Sequence, residues 1–474
     1  METTGSTHHG LATLPGPRGL PLLGNLHQLD FPRLHQQLEG WAHDFGPIYR
    51  IRIGPRTRVI ISDCDAINIM LRERPETYRR PRLTEAVMEE MGFNGVFSRD
   101  GDAWQRQRRV VVQALSPTHL TRFYPAMRMT TERLLDRWSN TQGPFDLCRD
   151  LMRYTVDVTA HLAFGIDVNT LQTDGPVVQQ HLDKVFPMLF RRVVAPFPYW
   201  RWVRTRADRE LDAALAEIHR IVADMTRACR SGMRREPTLF EQPSNFLEAI
   251  IAAQSAEQVE FSDDEIYANV ITLLLAGEDT TANTLAWAIT FLVQHPALHA
   301  RIRDEVDAVL GAANVAPDLA AIRQLEFVEA FALETMRFKP VAPIIALEPK
   351  DDVELLGYGL PTGTPIIALT RPNAISDDHF DAAASFDPTR WLAHEKSPAA
   401  LHNPRAHIPF GAGPRFCPGR GLAMLEIKAV LAMLCRNFDV GMGGDPAQIK
   451  ERLSFTMQPE NLRVTLTPRA AATT

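Results

Sequence analysis

The chain has 474 residues, 45% of them hydrophobic and 23% charged, with a formal net charge of −6. That balance suits a soluble globular protein and offers no basic surplus for binding nucleic acid. Five cysteines (Cys64, Cys148, Cys229, Cys417 and Cys435) stand far apart with no C-x-x-C pair. This disfavours a zinc site or a secreted disulfide framework and points to a reducing, cytoplasmic setting.

Residues 1–14 open METTGSTHHG, without the basic-then-apolar order of a secretion signal, and read as a flexible tail. Residues 469–474 read as a second tail. Between them lie no internal repeat, no long linker and no apolar run of about 18 residues that could span a membrane. The expectation is one domain over 15–468, mainly α with a small β region, monomeric and without a transmembrane anchor. LPGPRGLPLLGN (14–25) predicts an extended, turning entry to the fold. IYRIRIGPRTRVIIS (48–62) alternates around Gly54-Pro55 and predicts a β-hairpin with Ile51, Ile53, Val59 and Ile61 inward. From about residue 65 to 340 the pattern is helical.

Within that stretch, WQRQR places Trp104 and Arg108 on one helical face. Both are hydrogen-bond donors that suit a cofactor's carboxylates, although a plain cation–π pair reads the same way. The longest helix starts at a capping box, Ser262 with Glu265, and runs to His295, before Pro296. At about 1.5 Å per residue it is a rod of roughly 48 Å. It is apolar nearly all round at VITLLLAG and so runs through the core. Its AGEDTTANT segment puts Ala276, Gly277 and Thr280 on one face, with Asp279 adjacent. The Thr280 hydroxyl is placed to bond the Ala276 carbonyl. Small residues beside an alcohol and an acid suit a small polar ligand and proton delivery; close helix packing is the alternative. Glu278 reads as a structural or surface group. ETMR sets Glu334 and Arg337 three apart, by itself an exposed pair of small worth. With Arg390 of FDPTRW it becomes a candidate buried network. Strands return in 352–369 and 462–468, and a helix over 420–437.

Before that last helix stands FGAGPRFCPG (410–419), too rich in glycine and proline for a helix interior or a plain strand. Cys417 sits at a helix N-terminus two residues after Arg415, a setting that favours a metal-ligating thiolate.

These residues resemble the cytochrome P450 family of haem-thiolate monooxygenases. The match is F-x-x-G-x-R-x-C-x-G, filled by Phe410, Gly413, Arg415, Cys417 and Gly419. W-x-x-x-R at 104–108, A-G-x-D-T-T at 276–281, E-x-x-R at 334–337 and Arg390 follow in the family's order, so the resemblance spans about 14–468. It implies a triangular, α-rich body with haem b between two long helices and Cys417 as the proximal iron ligand. It implies that Trp104, Arg108, His407 and Arg415 face the propionates, that Ala276, Phe410 and Gly419 also bind the cofactor, and that Asp279 and Thr280 serve the distal oxygen site. Insertion of one atom of O2 into a hydrophobic molecule, a fatty acid, terpenoid, steroid or polyketide, is the implied reaction. The same scaffold also serves peroxide-driven hydroxylases and hydroperoxide isomerases, and a non-catalytic haem sensor is a reading from another class.

Two departures stand out. Leu347 falls where many relatives carry a propionate-binding arginine. Pro418 follows the ligand and has no N–H to offer the sulfur, which implies a more electron-rich thiolate. The implied pocket draws on 82–97, 185–200, 340–345 and 454–459, with Phe93, Phe97, Phe186, Phe190 and Met457 prominent. With no flavin or iron–sulfur segment in the chain, NAD(P)H electrons are expected through a ferredoxin or flavodoxin-type partner. Arg106, Arg109, Arg420 and Lys428 are the candidate docking patch.

Overall fold

The computed structural model describes residues 9–173, 178–182, 184–256, 261–395 and 400–469. The elements that build the site are, in chain order, helix α1 (Leu34–Phe45), strands β1 (Ile48–Ile53), β2 (Arg56–Ile61) and β3 (Tyr78–Arg79), and helices α2 (Gly101–Ala114), α3 (Leu147–Phe164), α4 (Val185–Val194), α5 (Asp263–Gln294) and α6 (Glu326–Phe338). Strands β4 (Ile344–Pro349) and β5 (Ile366–Leu369), helix α7 (Arg420–Asn437) and the hairpin β6 (Lys450–Ser454)–β7 (Thr456–Glu460) follow. Further helices complete the α-rich body around one large apolar core.

The main sheet has the order β1-β2-β5-β4-β3, with β2 and β5 parallel and the other neighbours antiparallel. The expected hairpin forms, with Ile53 opposite Arg56 across Gly54-Pro55. Its four named residues are all buried, but on two faces rather than one. Ile51 and Ile53 lie opposite Arg58 and Arg56, and pack with Leu34 and Leu38 of α1. Val59 and Ile61 lie opposite Arg50 and Ile48, and pack with Ile67, Met70 and Leu347. A sheet covered on both sides hides both sets, so alternation does not identify a single inward face.

Helix α5 has both halves of its capping box, Ser262 and Glu265 each bonding the other's backbone N–H. It is buried along most of its length, as the all-round apolar pattern requires. It packs closely on α3, where a Cβ at Gly277 would clash with the Thr159 methyl group. Close helix packing is therefore what Gly277 provides.

The Glu334–Arg337–Arg390 network is formed and dry. Arg337 donates from Nε and Nη2 to both Glu334 oxygens at 2.9 and 2.7 Å, and from its η nitrogens to the carbonyls of Ala374, Ala383 and Ser385. Glu334 also accepts from Arg390 Nε (3.1 Å), the Asp387 N–H and the Trp391 indole. The network ties the 374–391 segment to α6.

The expected N-terminal tail needs correction. His9–Gly10 pairs with Tyr358–Gly359 as a short parallel strand, and Leu14 is buried. Residues 1–8 of that tail and 470–474 of the C-terminal one lie outside the described residues. Among the described residues no helix is long and apolar enough to cross a membrane.

Candidate functional site

A cavity of about 1150 Å³ separates α5 from the loop that precedes α7. Ala276, Gly277, Thr280 and Thr281 of α5 form one wall, and Phe410, Cys417 and Gly419 the other. That volume exceeds the roughly 300–1,000 Å³ of ordinary small-molecule pockets, which leaves room for a cofactor and a second molecule.

The cysteine loop is held from several sides. The Cys417 N–H donates to the Phe410 carbonyl at 2.9 Å, and Arg108 of α2 donates to the Phe416 carbonyl. Gly413, at φ +68°, lies so close to the Leu71 carbonyl that any side chain would collide with it. The glycine thus serves packing of the loop onto the Cys64–Arg72 helix. Burial pushes the Cys417 thiol up, opposed by the Gly419 N–H, the positive Arg108 and the Arg420 N–H. Pro418 contributes no donor, and the N–H groups that reach the sulfur come one and two residues later.

On the opposite wall the Thr280 hydroxyl donates to the Ala276 carbonyl at 2.7 Å, as its spacing predicts. Asp279 does not line the cavity; its Oδ2 accepts from Thr456 of β7 at 3.3 Å, and Thr456 does line it. Glu278 is buried, its backbone carbonyl accepting from Thr155 of α3. Glu426 of α7 is a wall residue that sequence reasoning missed. Burial holds its carboxyl well above the usual range, the Thr281 hydroxyl opposes this, and neither oxygen has a formed hydrogen bond.

One edge of the cavity is strongly cationic. Trp104, Arg108 and Arg415 converge there as expected. The cation–π partner of Trp104 is Arg415, 4.1 Å above its ring, rather than Arg108. Arg415 pairs with Asp100 and donates to the Arg99 carbonyl at 2.7 Å. Arg74 and Arg80 join this edge. Burial, with the neighbouring Arg74 and Arg415, lowers the Arg80 guanidinium to about 9. The Nε atoms of Arg74, Arg80 and Arg415 are buried without acceptors. The signal for Arg74 and Arg80 was present as RERPETYRRPR, five arginines within residues 72–82.

Several expectations are corrected. His407 does not line the cavity; its ring packs on Trp391 at 4.6 Å, and burial, with Arg337 nearby, lowers it to about 3. Leu347 is fully buried in the apolar cluster under the sheet and is not part of the cavity wall. Met457 is core, and Phe455 at the β6–β7 turn takes its place in the wall. Phe455 stacks on Phe186 at 4.5 Å and meets Phe97 at 6.4 Å. Phe93, Phe97, Phe186 and Phe190 line the cavity as expected. Lys428 is buried and paired with Glu329 at 2.7 Å, so it cannot join a docking patch. Arg106 is bonded to Glu265 at 2.7 Å, while Arg109 and Arg420 are exposed.

These residues fit haem. Buried guanidinium groups lacking acceptors need anions, and a flat porphyrin's carboxylates answer that need. Among the described residues no cluster of three His, Cys, Asp or Glu could hold a bare metal ion, so a lone cysteine ligand implies a metal that arrives with its other donors.

Comparison with known proteins agrees. The model of the family described as Cytochrome P450 matches residues 14–466. Pentalenene oxygenase of Streptomyces avermitilis is 28% identical, over 98% of this chain and 99% of its own length. The chloroplastic cytochrome P450 97B2 of Glycine max is 26% identical, over 90% of this chain and 81% of its own. A self-sufficient cytochrome P450 monooxygenase of Aspergillus niger is 27% identical over 95% of this chain, which spans 42% of that longer protein. The crystal structure of the cytochrome P450DA heme domain shares the fold, with a TM-score of 0.85 at 23% identity, covering 96% of this chain and 98% of the other. A family match across nearly the whole chain, meeting a cavity built for an anionic planar cofactor, places this protein in the cytochrome P450 family.

Proposed function

We propose that this cytochrome P450 monooxygenase, whose cofactor is haem, binds that haem through Cys417 and oxidises an apolar small molecule held between Thr280 and the Phe97–Phe186–Phe455 cluster. Haem supplies the oxygen chemistry, and a thiolate ligand favours O–O cleavage by pushing electron density onto the iron. The protein supplies the setting. The Gly419 and Arg420 N–H groups and Arg108 favour the sulfur's anionic form. Trp104, Arg108 and Arg415, with Arg74 and Arg80, would hold the propionates; the latter two do the work expected of an arginine at position 347.

Thr280 is the proton-handling hydroxyl at the cavity wall. Asp279 stands behind the cavity wall, its carboxylate accepting from Thr456, which lines the cavity, and is assigned to proton supply. The aromatic cluster keeps water from the site and favours a hydrophobic substrate. Electrons are assigned to a separate ferredoxin- or flavodoxin-type protein, with exposed Arg109 and Arg420 in the docking face.

The observation that carries this reading is Cys417 facing Ala276 and Thr280 across one cavity. The test is turnover of a spectrally identified ligand with NADPH, a surrogate ferredoxin and its reductase, against turnover with peroxide alone. Product that depends on the electron donors supports the reading. Product formed only with peroxide would transfer the chain to the peroxide-driven class.

A further inference from the structure

Helix α5 meets strand β7 along one stripe of polar side chains. Asp279, Asn283 and Trp287 recur every four residues and so share a helical face. All three reach β7. Asp279 and Asn283 meet the Thr456 hydroxyl, and the Trp287 indole donates to the Met457 carbonyl at 3.4 Å. Thr456 is a buried residue that lines the cavity, whereas Asp279 and Asn283 do not line it. A hydroxyl in the wall therefore stands between an acid behind it and the space in front of it.

The hydrogen bonds of that hydroxyl have a direction. Asn283 donates from Nδ2 to the Thr456 oxygen at 3.4 Å, which leaves the hydroxyl proton for Asp279 Oδ2 at 3.3 Å. The Asn283 amide oxygen is closed to solvent and has no hydrogen-bond partner. Half a turn of that amide offers this oxygen to the same hydroxyl. Thr456 thus has two acceptors within reach, a carboxylate and an amide oxygen, and one proton to give them. This suits a group that reorients.

The turn that places Thr456 is strained. Phe455 has φ +83°, in the left-handed region that a bulky side chain rarely occupies. Such a conformation persists where its surroundings hold it, often at functional sites. Here the Phe455 ring stacks on Phe186 at 4.5 Å, while Ser454 pairs with Thr456 across the turn. One residue of the turn is thereby committed to the cavity and the next to both the cavity and α5.

We propose that Thr456 is a proton-relay residue of the oxidation, the hydroxyl through which Asp279 reaches the cavity. Asp279, half-buried, takes a proton from the solvent side and passes it from Oδ2 to Thr456 Oγ1. Thr456 gives its own hydroxyl proton to water in the cavity that Thr280 also lines. At Oγ1 one O–H bond forms and one breaks. The net change is one proton moved from solvent to cavity, with no electron transferred. The hydroxyl then turns back to Asp279 while Asn283 holds its oxygen. This rests on the monooxygenase reading above and adds to it the route by which the acid acts.

The test uses the haem-loaded full chain with NADPH, a surrogate ferredoxin and its reductase, and no organic substrate. Oxygen then leaves as hydrogen peroxide, which takes two electrons and two protons, or as two molecules of water, which take four of each. An oxygen electrode and a peroxide assay give the ratio. Thr456→Val keeps nearly the same shape and removes the hydroxyl. Its ratio of peroxide to water should rise about tenfold, below the roughly hundredfold worth of a proton donor because Thr280 and water remain. Thr456→Ser should restore the native ratio. Asp279→Asn should raise it as Thr456→Val does, and the double variant no further, since both act on one route. A second readout needs no turnover. In urea unfolding, the midpoint loss of the double variant should be smaller than the sum of the two single losses, as for groups in contact. An unchanged ratio in Thr456→Val, a ratio as high in Thr456→Ser, effects that add in the double variant, or midpoint losses that add would each overturn the proposal. The ferrous carbon monoxide spectrum is recorded for every variant. Any of those results beside a normal native spectrum rejects the relay alone, whereas an abnormal native spectrum, or a native protein that consumes no oxygen, rejects the monooxygenase reading and the relay with it.

Discussion

Arg337 gives the sharpest test of how the fold is held. Its guanidinium and the Glu334 carboxylate are both fully buried. Replacing Arg337 by alanine removes two bonds to Glu334 and three to the carbonyls of Ala374, Ala383 and Ser385. Breaking a buried ion pair by deleting one partner costs about 3–5 kcal/mol. Carbonyls left without donors add about 1–3 kcal/mol each where water cannot replace the lost bond. Glu334 keeps Arg390, the Asp387 N–H and Trp391, which offsets part of this. A net loss of about 5 kcal/mol is expected, a large share of the roughly 5–15 kcal/mol of a folded protein. Urea unfolding followed by circular dichroism measures it. Arg337→Lys keeps the charge but not the fork, and should fall between native and alanine. Arg206→Ala, which breaks an exposed pair with Glu210 at 2.8 Å, is the control and should cost under about 1 kcal/mol. If Arg337→Ala cost no more than Arg206→Ala, the network would be ornamental and the reasoning wrong.

Three other outcomes follow from the site and its surroundings. Thr280→Ala removes the hydroxyl that donates to the Ala276 carbonyl; product per NADPH consumed should fall about a hundredfold while oxygen consumption continues, measured by oxygen electrode and product assay. His407, lowered to about 3, stays neutral in the fold, so stability present above the unfolded histidine value near 6.5 is lost as pH falls from there toward 3, at up to about 1.4 kcal/mol per pH unit. His407→Phe should flatten that loss in unfolding curves across the same window; an unchanged slope rejects it. Glu426, raised by burial, works in the opposite direction: stability is whole below the unfolded glutamate value and falls as pH rises above it, so Glu426→Gln should gain in melting temperature over native as pH increases. A gain that did not grow with pH would contradict the buried, protonated acid.

Much of this was legible because it was local. The capping box at Ser262 and Glu265, the Thr280–Ala276 bond and the turn at Gly54-Pro55 depend on neighbours within a few residues. The cysteine loop was legible because its composition forbids regular structure. What failed depended on the third dimension. His407 and Met457 stand close in sequence to cavity residues, but ring stacking on Trp391 turns one away and packing beneath the sheet turns the other. Lys428 follows α7 inward to Glu329 because a helix face, not residue type, decides exposure. Arg58 was the opposite case: in the sequence it is one of several arginines in an alternating strand, and only register and the covering helix α1 show that it faces grease.

The proposed ligation of haem iron by Cys417 is most directly tested in the ferrous carbon monoxide spectrum. The native protein is predicted to show the strongly red-shifted Soret band of thiolate ligation, and Cys417→His, which substitutes an imidazole, to shift it to the position of an imidazole-ligated haem. A native band already at the imidazole position, or one that Cys417→His leaves unmoved, would contradict it.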